Sequence, residues 1–220
     1  MFTKALEWEM VDENIYNRVR KVKMLTENNR RLRYLSEEEC SVLVKSCTPH
    51  LRPIVITALN TGMRRGEILS LEWDKHVDLK HGFILLDDTK NNTRREIPIN
   101  QTLMTELKRI PRHLNSPYVF ANSRDQKNNE EKDRRFNNVR KSFASALKKA
   151  GIKDFTFHDL RHTFASRLVM AGVDLTTVKE LLGHATLEMT LRYSHLSPGH
   201  RLNAVEVLDG DNRKISRLSS

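Results

Sequence analysis

The sequence predicts a mainly α-helical fold with one small antiparallel β-sheet, an α+β class. Three observations carry this. Runs with helical apolar spacing end repeatedly on glycine, at Gly62, Gly151, Gly172 and Gly183. Between about Trp73 and Ile99 the pattern changes to short β-rich runs, HVDL, GFILL and REIPI, parted by the turn-formers Lys80-His81-Gly82 and Asn91-Asn92. With 38% hydrophobic and 30% charged residues, a chain of 220 residues can bury a core without disulfide staples.

The elements follow in order. Seven Lys/Arg and a single acid, Glu27, lie between Arg18 and Arg33, which reads as a basic linker. Ser36-Glu37-Glu38-Glu39 is a capping box and opens the main fold. LRPIVITALN, residues 51–60, reads as a buried helix with Pro53 in its first turn and a stop at Thr61-Gly62. A new helix opens around Arg64 to Leu71. The β-rich region gives two or three strands, and a helix resumes from about Thr102 to Arg109. Residues 122–133 are a polar insert. A helix from about Arg135 to Ala150 ends at Gly151. Three more run from about His158 to Ala171, Leu175 to Leu182 and Leu187 to His195, with a short one at Leu202 to Leu208 before a polar tail.

Composition excludes several classes. No apolar run approaches the ~20 residues that span a bilayer. The first residues, MFTKALEWEMVDEN, hold no signal-peptide core. Cys40 and Cys47 are too few for a disulfide framework or a cysteine-rich zinc site, and a reducing cytoplasm fits. The net charge of +10 points to a polyanion, most simply nucleic acid.

Four separated segments hold chemically capable residues. In Thr61-Gly62-Met63-Arg64-Arg65-Gly66-Glu67, an arginine follows a glycine turn and Glu67 stands three residues on, able to hold it. In Asp88-Thr89-Lys90-Asn91-Asn92 a lysine sits at a hairpin tip, placed to protonate a leaving oxygen. In His158-Asp159-Leu160-Arg161-His162, His158 and Arg161 share a helix face suited to phosphate, and Leu160, Phe164 and Leu168 form the anchoring stripe. The fourth is Leu181-Leu182-Gly183-His184, followed by Thr190-Leu191-Arg192-Tyr193-Ser194-His195. Each alone reads as an ordinary ion pair, turn lysine, core histidine or packed tyrosine. Together they place two arginines, two histidines and a lysine around a tyrosine. Such a field suits a phosphodiester, and it is expected to lower the tyrosine pKa from about 10.

In order and spacing, TGMRRGEIL, the hairpin lysine, HDLRHTFAS and LLGHATLEMTLRYSH resemble the catalytic domain of the tyrosine recombinases, the phage integrase family. The resemblance covers about residues 36–208 and implies that fold. It implies site-specific DNA breakage and rejoining. Tyr193 would form a 3′-phosphotyrosyl bond, Arg64 and Arg161 would clamp the scissile phosphate, and Lys90 would be the general acid. His158 would assist proton transfer at the tyrosine, His184 would hydrogen-bond the phosphate, and Glu67 would support the first arginine. No catalytic position is substituted, so an active enzyme is expected. Lys80 and Arg94 compete with Lys90 for the hairpin role.

The resemblance further implies double-stranded DNA as partner, a DNA-bound homo-tetramer, and no cofactor, metal, ATP or membrane. Arg65, Arg135, Arg140, Lys141 and Lys148 are the expected DNA contacts. Residues 1–35 resemble the end of an upstream core-binding domain plus its linker. Residues 36–208 form the catalytic domain and 209–220 a tail. A fragment of this kind is expected to bind DNA weakly and with salt sensitivity. Leu202, Val205 and Leu208 could face a neighbouring protomer or their own domain. Three other readings stand beside this one. They are a type IB topoisomerase-like relaxing enzyme, a zinc hydrolase built on His158 and His162 at i, i+4, and a DNA-binding module without catalysis.

Overall fold

The computed structural model describes residues 2–22, 32–88, 93–113, 116–121, 135–136 and 138–197. The hairpin tip with Lys90, the insert at 122–133, most of the basic linker, the expected helix at 202–208 and the tail lie outside the described residues. The chain divides into two units, residues 1–31 and 32–220. The first holds α1 (Phe2–Glu7) and α2 (Glu13–Arg20), the latter capped by Asp12, which accepts from Asn14 N at 2.8 Å.

The second unit starts at Leu32, ahead of the boundary read from the capping box. Leu35 is fully buried, and its N–H donates to Thr163 Oγ1 at 3.1 Å. Ser36 does cap α3 (Glu37–Ser46), and both halves of its capping box form, with Glu39 reciprocating. α4 (Arg52–Thr61) carries Pro53 in its first turn and is buried almost all round. Thr57 and Thr61 survive in that interior because their hydroxyls donate to the carbonyls of Pro53 and Thr57, at 2.8 and 2.6 Å. α5 (Arg65–Leu69) follows, one turn shorter than the sequence suggested.

The β-rich region begins helically. Trp73–His76 forms α6, its N-terminus tied by Trp73 N to Pro117 O at 2.9 Å. A tertiary contact therefore overrides the local pattern there. β1 (Val77–Asp78), β2 (Phe83–Asp88) and β3 (Thr93–Pro98) then make one antiparallel sheet in that order. Ile84 pairs with Ile97 and Leu86 with Arg95, so these four share one face. α7 (Gln101–Arg109) is capped by Asn100.

α8 (Arg140–Ala150) starts later than the sequence suggested. Arg135 is not helical but bridges Ala121, and Phe136 N donates to Phe120 O at 3.3 Å. Asn138 then accepts from Arg140 N at 2.8 Å and opens the helix. α9 (Asp159–Met170) is the central element, with buried residues on every side rather than on one stripe, and it packs on α4 and α10. α10 (Leu175–Leu182) matches its expected bounds. The last segment is broken into α11 (Glu188–Leu191) and a 3-10 turn at Ser194–Leu196, with Tyr193 between them. Among the described residues, no helix is long and apolar enough to cross a membrane.

Candidate active site

α4 ends on Gly62, whose φ of 63° puts it in the left-handed region. This turn throws Arg64 onto the start of α5. Glu67 Oε1 accepts from Arg64 Nη1 at 2.7 Å, and Glu67 Oε2 accepts from Arg64 N at 2.8 Å. The same Oε2 accepts from Arg95 Nη2 at 2.8 Å. Burial pushes the Glu67 carboxyl up, but Arg95 and then Arg64 outweigh it and hold it below the ordinary carboxylate range. Glu67 is therefore an anion that fixes two guanidinia at once.

α9 supplies the next group. His158 is its N-cap, and Arg161 and His162 lie in the first turns, both buried. Arg161 Nη1 donates to the carbonyl of Gly62 at 2.8 Å, so the α4 turn holds this arginine as well as presenting Arg64. Burial, then the neighbouring Arg64, lowers Arg161 to about 10. At neutral pH it remains a cation, held where charge is costly.

Gly183 ends α10 in the left-handed region and releases His184. His184 Nδ1 lies 2.8 Å from Thr190 Oγ1. Tyr193 is 1% exposed and packs with Phe164, Val178 and Leu182. Its hydroxyl lies 2.6 Å from His162 Nδ1.

Arg64, His158, Arg161, His184 and Tyr193 line one cleft of about 290 Å³, joined by His162, Glu188, Met189 and Arg192. Five of the six expected catalytic positions thus converge, and Lys90 lies outside the described residues. Arg65 and Arg140 rim a neighbouring cavity of about 450 Å³ that shares His158 and Arg161 with the cleft. Lys141 and Lys148 are exposed on α8 without lining either cavity, and Arg135 lies before that helix.

One expectation is reversed. The positive cluster was expected to lower the tyrosine pKa. Burial raises it, and the opposing pull of Arg192 and Arg161 is the weaker effect. The phenol therefore keeps its proton in the free protein. Of the zinc reading, His162 is engaged with Tyr193. Among the described residues, no three of His, Cys, Asp and Glu stand together to hold a metal ion.

Of the members that the sequence pattern does not mark, two make contacts that bear on the chemistry. Arg95 reaches from β3 to Glu67 and, through Nη1, to the Leu182 carbonyl at 2.6 Å. It lies so close to Gly183 that a Cβ there would stand 2.1 Å from Nη1. One guanidinium thus joins the support of Arg64 to the helix end that releases His184. Its signal was phase, because Arg95 alternates with Ile97 and Ile99 and so falls on the apolar face of β3. We expect Arg95→Met to destabilise the fold by about 3 kcal/mol, leaving Glu67 half-paired and the Leu182 carbonyl unmet. A denaturant midpoint unchanged from wild type would contradict this link. The second is His162, which the sequence offers as a metal ligand at i, i+4 from His158 or as a core histidine.

The buried histidines make stability pH-dependent. Burial first, then nearby cations, lowers both His162 and His184 to about 4, against 6.5 in the unfolded chain. Between those values the unfolded state binds protons that the folded state refuses. Stability is therefore complete above pH 6.5 and falls as pH drops towards 4. The expected slope is roughly 1.4 kcal/mol per pH unit for each histidine. Denaturant titrations across this window should show it, with a shallower slope for His184→Asn. An equal slope in both proteins would contradict the assignment.

The sequence pattern of the phage integrase family matches residues 33–200. The chain belongs to that family. Its similarity to individual phage integrases is consistent with this. It is 34% identical over 221 residues to the integrase of Salmonella phage P22, covering 94% of this chain and 55% of that protein. It is 34% identical over 177 residues to tyrosine recombinase XerA of Pyrococcus furiosus, covering 78% of this chain and 60% of that protein. The structure of the catalytic domain of bacteriophage HP1 integrase superposes with a TM-score of 0.61 at 31% identity, covering 80% of this chain and 95% of that one. The chain therefore spans a little over half the length of these two full-length relatives, and its fold is that of a phage integrase catalytic domain.

Proposed function

We propose that this chain is the strand-cleaving and rejoining domain of a site-specific DNA recombinase. The observation that carries the reading is the cleft itself, where a tyrosine stands among three arginines and three histidines on a family-matched fold. The names of the relatives support the same class of reaction, and the charge of +10 suits double-stranded DNA.

The reaction is a transesterification. Tyr193 Oη gives up its proton and attacks phosphorus, forming the phosphotyrosyl bond, while the bond from phosphorus to the 5′-oxygen breaks. Arg64 and Arg161 hold the non-bridging oxygens and offset the charge that grows on them. His184 donates a hydrogen bond to the same phosphate, and His158 assists proton movement at the tyrosine. Lys90 protonates the departing 5′-oxygen. Rejoining is the reverse, with a 5′-hydroxyl attacking the phosphotyrosine. Exchange between two duplexes needs a tetramer of such domains on DNA.

The test is incubation with nicked duplexes carrying a randomised crossover region, so that a cleaved strand cannot be resealed. An SDS-resistant protein–DNA band is expected. Its absence across the pool, at low salt, counts against the cleaving reaction. Relaxation of supercoiled plasmid by the monomer would favour a topoisomerase-like activity instead.

A further inference from the structure

We infer that His162 is the base that takes the proton from Tyr193 when the tyrosine attacks DNA. The assignment rests on the cleavage reaction proposed above and names a catalytic residue beyond its six positions.

Three observations converge. First, the distance between His162 Nδ1 and Tyr193 Oη is 2.6 Å, which is hydrogen-bonding contact with the reacting atom. His158 has no such contact among the described residues. Its ring stands edge-on to that of His162, with centroids 5.0 Å apart. Second, the direction of the bond follows from the protonation states. Burial keeps the Tyr193 hydroxyl protonated, and a buried hydroxyl must donate. Its one partner among the described residues is Nδ1, so Nδ1 accepts and the ring carries its proton on Nε2. Third, the ring is free to accept. Burial, then His158 and Arg192, lowers its pKa to about 4 and leaves it neutral at physiological pH.

The surroundings explain how so weak a base can act. His158, Asp159 and Arg161 face His162 from its own helix, Arg192 and Tyr193 from the turn after α11, and His184 from beyond α10. In the free protein the balance is positive and opposes an imidazolium. A phosphodiester in the cleft adds negative charge beside these cations, which raises the proton affinity of the imidazole. Substrate binding therefore readies the base. In the step, the Oη–H bond breaks and an Nδ1–H bond forms. The phenolate oxygen bonds to phosphorus, and the 5′-oxygen leaves with a proton from the general acid. In rejoining, the imidazolium returns its proton to the departing phenolate.

The test uses the full chain. A nicked duplex recovered from the wild-type adduct in the randomised pool serves as the defined probe. Adduct formation is then timed in single turnover for wild type, His162→Ala and His162→Asn. Each is run on the natural duplex and on one with a 5′-bridging sulfur, which leaves without an acid. Both variants are expected to be slower by about 100-fold or more. The defect should persist on the sulfur substrate. Added imidazole should recover part of the rate in His162→Ala only, since the alanine leaves room for it.

A His162→Ala rate within about threefold of wild type overturns the assignment. So does a wild-type rate in His162→Asn, because hydrogen bonding alone would then suffice. A defect abolished by the sulfur leaving group would place His162 on the other proton transfer and equally overturns it. Absence of adduct from wild type overturns the cleavage reading, and this assignment with it. If His162→Ala fails to fold by thermal melt, His162→Asn carries the comparison.

Discussion

Tyr193→Phe is expected to form no covalent adduct with DNA while binding the same duplexes as tightly as wild type. The ring occupies the interior formed by Phe164, Val178 and Leu182, and phenylalanine fills the same space. What is lost is one oxygen, and with it the group that would attack phosphorus. DNA affinity comes from cations that the substitution does not touch. The change also strands His162 Nδ1, whose partner is the tyrosine hydroxyl. A buried acceptor left unmet costs about 1–3 kcal/mol, so the variant should melt earlier than wild type despite being inactive. The measurement pairs the SDS-resistant band with a denaturant curve. A band in the variant would move the nucleophile to another residue.

Gly62→Ala is expected to damage fold and activity together. Gly62 has a φ of 63°, which costs an alanine roughly 1–2 kcal/mol. A Cβ there would also lie 2.4 Å from Phe164 Cδ1 and 2.8 Å from Leu182 Cδ2. Such overpacking costs about 1–3 kcal/mol more. The backbone cannot yield without moving the carbonyl that accepts from Arg161. We expect a stability loss of about 3 kcal/mol and a fall in adduct rate beyond what unfolding explains. Gly66→Ala is the control, since a Cβ at Gly66 meets nothing within 4 Å. A Gly62→Ala protein as stable as the Gly66→Ala protein would refute the argument.

These two residues also show what could be read in advance. Local signals carried far. Ser36 with Glu39 marked a helix start, Gly62 and Gly183 marked helix ends, and Arg64 with Glu67 paired at the expected spacing. Elements failed where a partner distant in sequence set the local structure. Trp73 is turned into a helix by Pro117, and Arg135 is held out of α8 by its bridge to Ala121. The site divides in the same way. Its charges were visible along the chain, but its burial was not, so the sign of the tyrosine shift was misjudged. The Arg95 bond to Leu182 and the His162 bond to Tyr193 join residues that no spacing rule connects.

The pairing of Leu86 with Arg95 has a consequence for how this hairpin can change. Side chains alternate across a strand, so slipping β3 by one residue would turn Arg95 away and bring Arg94 or Glu96 to the inner face. With Glu96 there, a carboxylate would confront Glu67, attraction would become repulsion, and Arg64 would lose its brace. Any change of length between Asp88 and Thr93 must therefore return β3 to the same frame, so that Arg95 again meets Glu67.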